Sequence, residues 1–389
     1  MTSRTNGRRK VCVVVNSRAN YGRIKSVLQA MRDHERLELQ LIVGASALLH
    51  RFGNVIEVMR ADGFVPNATV YMIVEGETPT TMAKSTGMAI IELATQFENL
   101  RPDVVLTVAD RFETMATAVA ASYMNIPLAH TQGGEITGSI DESVRHAVTK
   151  LAHIHFPATQ LSYERLVRMG EEPARIRLTG CPSIDAISQI DLTLPPDLFR
   201  RYGGVGADID PAHGYLVVLQ HPVTTEYGHG LKQINETLTA IKKLRRQTVW
   251  LWPNVDAGSD DISKGLRMFR EREQPNYVHF FRNFSVEDYA RLISNCECLV
   301  GNSSSGLREG VFLGTPVVNI GTRQQGRERG PNVLDAACDA ADIIDKIERQ
   351  LAHGRYPSSA LYGDGRAGER IAEVLATMPL DRLQKRLTY

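Results

Sequence analysis

Short, unbroken apolar runs recur along this chain, each followed by a longer amphipathic segment, and that alternation limits the fold more than any other feature. A strand buried on one face alternates apolar with polar residues. A strand covered by helices on both faces stays apolar throughout, which is the mark of a parallel sheet inside an α/β layer structure. In the first half the runs are KVCVVV, LQLIVGA, VVLTVA, IPLAHT and HIHFPAT, with helix-like segments such as YGRIKSVLQAMRDH, GMAIIELATQFENL and FETMATAVAASYMN between them. The second half begins the pattern again: GYLVVLQHP, QTVWLWPN, YVHFFRN, CLVGNSS and PVVNIG read as strands, and LKQINETLTAIKKL, VEDYARLISNC and LREGVFLG as helices. Between the halves, in CPSIDAISQIDLTLPPDLFRRYGGVGADIDPAHG, Pro and Gly cluster and the apolar period fades. At 389 residues the chain exceeds one ordinary core. The expectation is an α/β protein of two Rossmann-like, doubly wound domains with a central cleft. Residues 1–185 form the first domain, 186–365 the second, and 366–389 a last helix packing back on the first.

Ligands of such sheets settle beyond the carboxyl ends of the strands, so the polar residues that follow each strand carry the functional reading. In order these are Asn16-Ser17-Arg18, Asp110-Arg111, the stretch HTQGGEITGSIDESVRH from His130 to His146, Gln220-His221-Pro222, Asn254 with Asp256, Gly301 to Gly306, and Gly321-Thr322-Arg323. In LVGNSSSGLREG a strand, a turn of small residues and a helix start offer free backbone N–H groups and hydroxyls to a phosphate. Ser303, Ser304 and Ser305 cap the helix and donate; Glu309, one turn on, suits a ribose diol. Arg18, Arg111, Arg323 and Arg327 are candidates for diphosphate charge, because a guanidinium fork matches paired oxygens. The alternative for each arginine is a surface ion pair, and for the serines a helix cap with no ligand. Glu135, Asp141 and Glu142 lie close along the chain among glycines, the setting in which neighbouring acids acquire the perturbed pKa values that proton transfer near neutral pH needs. Asp141 also suits a helix cap, and Asp110 beside Arg111 also suits a buried ion pair. His221, at a strand end, is placed to donate to a diphosphate.

Several classes are excluded by the rest of the sequence. A net charge of +1 gives no polyanion-coating surface, so nucleic acid is not the expected partner. Neither a Walker A sequence nor a strand-bound G-x-G-x-x-G occurs, which removes the usual supports for ATP-driven transfer and NAD binding and leaves a nucleotide bound as substrate. His130, His146, His153 and His155 lack the i, i+4 spacing with a paired acid that zinc sites use, so no metal is expected. The five cysteines, at 12, 181, 296, 298 and 338, are scattered and contain no C-x-x-C pair; they read as reduced thiols of a cytoplasmic protein. The apolar run after the basic amino terminus is only Val11–Val15, short of a signal-peptide core, and nothing approaches a membrane span.

Taken together, NSRANYG, ADRFETMATAVAASYMNIPLAHTQGGEITGSIDESVRHAVTKLAH, TGCPSID, LQHPVTTE, WPNVDAGS, GNSSSGLREG, GTPVVNIGTRQQGR and YGDG resemble, in unbroken order from about Val11 to about Ile371, the hydrolysing UDP-N-acetylglucosamine 2-epimerases of sialic acid biosynthesis. The resemblance implies a glycosyltransferase-B-like pair of domains, with UDP gripped mainly by the second. It implies conversion of UDP-N-acetylglucosamine and water to N-acetylmannosamine and UDP, with no metal and no nicotinamide, in a homodimer or homotetramer. A base removes the C2 proton, UDP leaves C1, and water adds to the resulting glycal with inversion at C2. Carried over, Asp110, Asp141 and His221 are catalytic, and Glu135 joins them from the reading of its loop. Arg18, Arg111, Ser303, Ser304, Glu309 and Arg323 are carried over as UDP contacts and Asn254 as a residue near the sugar; Arg145 and Ser305 are expected beside them as substrate contacts. Two positions depart from the family: Gln132 stands where other members carry Glu or His, and Asn20 where an acid is usual. The legionaminic acid branch, acting on a UDP-2,4-diacetamido sugar, and the non-hydrolysing epimerases are the nearest alternatives. A glycosyltransferase and a silent UDP-sugar sensor are more distant ones.

Overall fold

The structure, a computed structural model, describes residues 7–50, 54–76, 78–108, 110–253, 256–380 and 384–388. It divides into two compact units. The first comprises Met1–Glu135, Asp141–Gln189 and Tyr362–Tyr389; the second comprises Ile136–Ile140 and Ile190–Leu361.

Six strands make the sheet of the first unit: β1 (Arg9–Val15), β2 (Leu37–Gly44), β3 (Ala68–Val70), β4 (Val104–Val108), β5 (Leu128–Thr131) and β6 (Ile154–Phe156). Their order is β3-β2-β1-β4-β5-β6, with every pairing parallel. The register sets Val13 opposite Leu41 on one side and Leu106 on the other. Continuous apolarity follows from burial on both faces. Val11, Val13 and Val15 join one core with Val27, Leu28 and Met31, while Cys12 and Val14 join another with Leu93 and Phe97. The carboxyl-terminal helix Ala367–Thr377 adds Ile371, Ala372 and Leu375 to the first of these cores.

In the second unit the strands are β7 (Val205–Gly206), β8 (Leu216–Leu219), β9 (Thr248–Leu251), β10 (Val278–Phe281), β11 (Cys298–Gly301), β12 (Val317–Ile320) and β13 (Val333–Ala336). Their order is β13-β12-β11-β8-β9-β10-β7, parallel except for the short antiparallel edge strand β7. Leu216 and Val218 face a core with Ile234 and Trp250, whereas Val217 and Leu219 face one with Phe281 and Leu292. The segment expected as one helix, LREGVFLG, is two short ones, Ser304–Leu307 and Glu309–Leu313. They break at Arg308, whose φ of −97° and ψ of −72° lie off helical values. Chain order reverses between β8 and β11, which makes their carboxyl ends the switch point of this sheet.

Among the described residues no helix is long and apolar enough to cross a membrane, and no group of three or more His, Cys, Asp or Glu could hold a metal ion. Cys296 and Cys298 are buried thiols, and burial pushes Cys296 up to about 12.

Candidate active site

Arg145 is the centre of the first unit's polar cluster. It lies on the inner face of the helix Ile140–Leu151 and is 0% exposed. A buried guanidinium must spend its donors on acceptors, and here Nη2 donates to Asp110 Oδ2 while Nη1 donates to the Glu135 carbonyl at 2.8 Å. Burial alone would lower its pKa; the charges of Asp110, Glu135 and Asp141 more than offset this and raise it, so the cation is fixed. Asp110 follows β4, and Glu135 follows β5 at 2% exposure, so two strand ends and one helix converge on a single positive centre.

Arg145, expected as a substrate contact, is enclosed by protein. Asp110 pairs with Arg145, while Arg111 turns to Glu113, with Nε 3.2 Å from Oε2 and the guanidinium 5.7 Å from the centre of the Phe112 ring. Glu113, itself 1% exposed, had no signal beyond its position in the first turn of the helix Phe112–Tyr123. Asp141 and Glu142 occupy the first turn of Ile140–Leu151, where the helix dipole favours an acid, and Glu142 lies 3.5 Å from His146. His146 is pulled below its ordinary pKa by burial first and by the Arg145 charge second, against the pull of Glu142. Arg18 opens the helix Arg18–Gly22, which Ser17 caps by accepting from Asn20 N, and Asn20 in turn accepts from Asn16 N at 3.2 Å.

The acid-rich loop also explains its glycines. Gly134 has φ +79°, and a Cβ there would overlap the carbonyl oxygen of Ser162. The sequence pattern places the whole stretch from His130 to His146 in the first half. Ile136–Ile140 instead pack with the second unit, where Gly138 N donates to Arg323 O at 3.2 Å and Thr225 Oγ1 donates to Gly138 O at 3.4 Å. Gln132 adopts φ +62°, is 1% exposed, and its amide nitrogen donates to Cys181 Sγ at 3.2 Å.

The second unit gathers its polar groups at the ends of β8, β11 and β12. Gly301, at φ +134°, brings β11 so close to β8 that a Cβ would overlap Leu219 O. Ser303 then caps the short helix, accepting from Ser305 N, and Ser303, Ser305 and Tyr289 form a hydroxyl chain with separations of 2.9 and 2.6 Å. Ser304 is 8% exposed. Glu309 Oε2 is buried without a hydrogen-bond partner among the described residues, an arrangement that costs free energy unless a ligand donor fills it.

Asn302, inside the serine motif but without a role from sequence, holds this end of the sheet together. Its Oδ1 accepts from His221 N at 2.7 Å and its Nδ2 donates to His221 O at 2.8 Å. Its own carbonyl accepts from Arg323 Nη1 at 3.1 Å and Gln324 Nε2 at 2.9 Å. Thus His221 and Arg323 are both positioned through one amide residue. Arg327 is 5% exposed and donates to Gln324 Oε1, so it braces this loop. Asn254 lies outside the described residues.

Two parallel-sheet α/β units, one carrying buried carboxylates about an arginine and the other a serine-rich strand–helix turn, define a glycosyltransferase-B-like protein. The sequence model of the UDP-N-acetylglucosamine 2-epimerase family matches residues 29–376, and the chain belongs to that family. It is 33% identical over 372 residues, 96% of this chain and 97% of the relative, to the UDP-N,N'-diacetylbacillosamine 2-epimerase (hydrolyzing) of Legionella pneumophila. The polysialic acid biosynthesis protein P7 of Escherichia coli is 32% identical over 344 residues, 87% of this chain and 85% of the relative. Among solved structures, the UDP-GlcNAc 2-epimerase of Methanocaldococcus jannaschii, in complex with UDP-GlcNAc and UDP, superposes with a TM-score of 0.79 at 18% identity, covering 94% of this chain and 99% of that one. At that identity the likeness is one of fold.

Proposed function

We propose that the chain is a hydrolysing 2-epimerase of a UDP-2-acetamido sugar, taking UDP-N-acetylglucosamine and water to N-acetylmannosamine and UDP. One observation carries the reading: the Asp110 carboxylate pairs with the buried cation of Arg145, which also donates to the Glu135 carbonyl and is held charged by Asp110, Glu135 and Asp141 together. The C2 proton of an acetamido sugar is weakly acidic, so its removal needs a positioned base. One carboxylate of the set Asp110, Glu135 and Asp141 takes that proton as the C1–O bond breaks and UDP departs with the bonding pair. A second then donates a proton to C2 of the glycal from the opposite face as water adds at C1, and the proton that water loses passes to a carboxylate of the set. Arg145 supplies the countercharge and fixes Asp110, a positioning role.

Departure of UDP needs stabilisation of the diphosphate charge, which falls to the hydroxyls and backbone of Ser303–Ser305, to His221 and to Arg323, with Glu309 accepting from the ribose diol. Arg18, Arg111 and Asn254 remain assigned to the substrate. No metal or nicotinamide is invoked, because proton transfer and elimination account for the whole conversion.

The reaction is tested by incubating the protein with UDP-N-acetylglucosamine in deuterium oxide without any acceptor. Free UDP and N-acetylmannosamine deuterated at C2 are expected. Release of UDP only after an acceptor is added makes the chain a glycosyltransferase, and UDP retained on the epimerised sugar makes it non-hydrolysing. A second reading, the same chemistry on a UDP-2,4-diacetamido-trideoxyhexose, is favoured by the 33% identity to the Legionella pneumophila protein. A kcat/KM at least about tenfold higher for that sugar, about 1.4 kcal/mol of transition-state binding, decides for it.

A further inference from the structure

The second unit holds a cavity of about 520 Å³ that none of the groups assigned above as catalytic or diphosphate contacts lines. It lies at the carboxyl ends of β8, β11, β12 and β13 and is bordered by Glu226, Gln233, Asn319, Arg329, Asp335 and Cys338, with Ile320 and Ala336 as apolar lining. A smaller cavity of about 300 Å³ shares Glu226, Gln233 and Cys338 with it. Small-molecule sites occupy about 300–1,000 Å³, and this one is within that range.

Its polar groups select a ligand class. Asn319 is 1% exposed, and its Nδ2 donates to Asp335 Oδ1 at 2.8 Å. A carboxylate only accepts, so the orientation of the amide is fixed and Oδ1 is the end left over. That oxygen is buried and has no partner among the described residues, a state that a bound O–H or N–H donor would relieve.

Arg329 offers no fork to a phosphate: Nη1 donates to Asp335, Nη2 to Gln324 O at 2.7 Å and Nε to Arg327 O at 3.1 Å. Glu226 accepts from Thr322 and Gln233, one on each carboxylate oxygen, so it does not present a bare carboxylate to an amine. The lining thus sets one cation, already engaged, against two acids and offers no free positive charge to a phosphate, while Lys232 borders the smaller cavity. We propose that this cavity is a binding site for an uncharged, hydroxyl-rich ligand of the hexose class, separate from the nucleotide contacts. The inference is independent of the reaction above, since a hexose that fails to bind here leaves that reaction untouched.

Cys338 supplies the readout. It is half-buried, whereas the other four cysteines are buried. Burial and the nearby charges of Glu236 and Glu226 push its thiol up to about 11, so alkylation is slow and best followed at alkaline pH by peptide mass spectrometry. N-acetylmannosamine, N-acetylglucosamine and glucose are the probes and UDP the charged control. A sugar present at four times its Kd is expected to slow Cys338 labelling about fivefold, and UDP to leave it unchanged. Asn319→Leu removes the orphan oxygen and Ala337→Leu fills the rim; both are expected to abolish protection while UDP binding persists. Ala337→Leu alone decides if Asn319→Leu does not fold. Saturation transfer to glucose, which is neither substrate nor product of the proposed reaction, lost in Ala337→Leu, reads the same site without the thiol. Labelling unaffected by every sugar, with no saturation transfer, overturns the proposal. So does equal protection by UDP, which would make the cavity part of the nucleotide site.

Discussion

A fully buried arginine paired with a carboxylate is a high-stakes arrangement, because removing either partner leaves an uncompensated charge. Arg145 and Asp110 form such a pair, with the Glu135 carbonyl as third member. Asp110→Asn keeps the volume but removes the countercharge. It is expected to lower kcat by at least about a hundredfold and, by breaking a buried pair, to cost about 3 kcal/mol of stability, read by activity assay and by urea unfolding. Arg145→Lys keeps a charge but loses the two-pronged geometry. With a positioning role it should lower kcat with KM within about twofold, since it holds a reacting group and not the substrate. A rise in KM at constant kcat would return Arg145 to the substrate contacts expected from sequence. Its burial was not legible in the sequence: an arginine in the first turns of a charged helix gives no sign of burial, and the sequence distance of 35 residues between Asp110 and Arg145 conceals their meeting. Asn302 escaped for a related reason. An asparagine between Gly301 and Ser303 reads as turn chemistry, and only the tertiary position of His221 reveals what its amide holds.

Elements with a long apolar period were readable from the chain, and the shortest were not. The largely apolar runs at β1, β4, β8 and β12 declare themselves because helices cover both faces. β3 and β13 are edge strands that mix buried with exposed positions, and β7 has two residues, both exposed, so none of the three carries such a run. The carboxyl-terminal helix shows how a distant residue completes an element. Arg366 offers no side-chain cap, so Asp185 accepts from Ala367 N at 3.0 Å and Gly368 N at 2.6 Å while also accepting from Ser26 Oγ. Asp185→Ala is expected to cost about 1–2 kcal/mol and to speed amide exchange within Ala367–Thr377 before the rest of the first unit. A second fastening is ionic. Glu171, 2% exposed, accepts from Lys150, His155 and Lys385, tying the 384–388 segment to this unit. Burial opposes its charge, but the hydrogen bonds and charges of His155 and Lys385 outweigh burial and hold its pKa at about 2, against an ordinary 4.5. The unfolded carboxyl therefore binds its proton first, so this stabilisation is complete above about pH 4.5 and is lost as pH falls toward 2. His155, lowered mainly by burial, adds a loss that begins nearer its ordinary 6.5. Unfolding midpoints should decline on acidification, and Glu171→Gln should remove at most about 3 kcal/mol at neutral pH and flatten the acid limb.

At the scale of the whole molecule, two units built on one architectural plan carry chemically different strand ends. The first presents acids about an internal arginine; the second presents hydroxyls, backbone N–H groups and an unsatisfied glutamate oxygen. Under the proposed reaction the two sets separate energetically: proton transfer belongs to the acids about Arg145, and ribose and diphosphate recognition to the second set, with Arg18 and Arg111 as further substrate contacts. UDP alone lacks the reacting sugar, so its affinity does not report on the acids. Asp110→Asn should therefore bind UDP within about twofold of the parent protein, whereas Glu309→Gln, which replaces an acceptor pair with an amide, should weaken UDP about tenfold, close to the worth of a charged hydrogen bond. Calorimetric titration of the two single variants and the double variant checks this. Groups that share no partner contribute additively to within about 0.5 kcal/mol, so the double variant should show the Glu309→Gln loss and little more. Loss of UDP binding in Asp110→Asn of the same size as in Glu309→Gln would mean that the acid cluster holds nucleotide. The carboxylates about Arg145 would then have to be reassigned from chemistry to recognition.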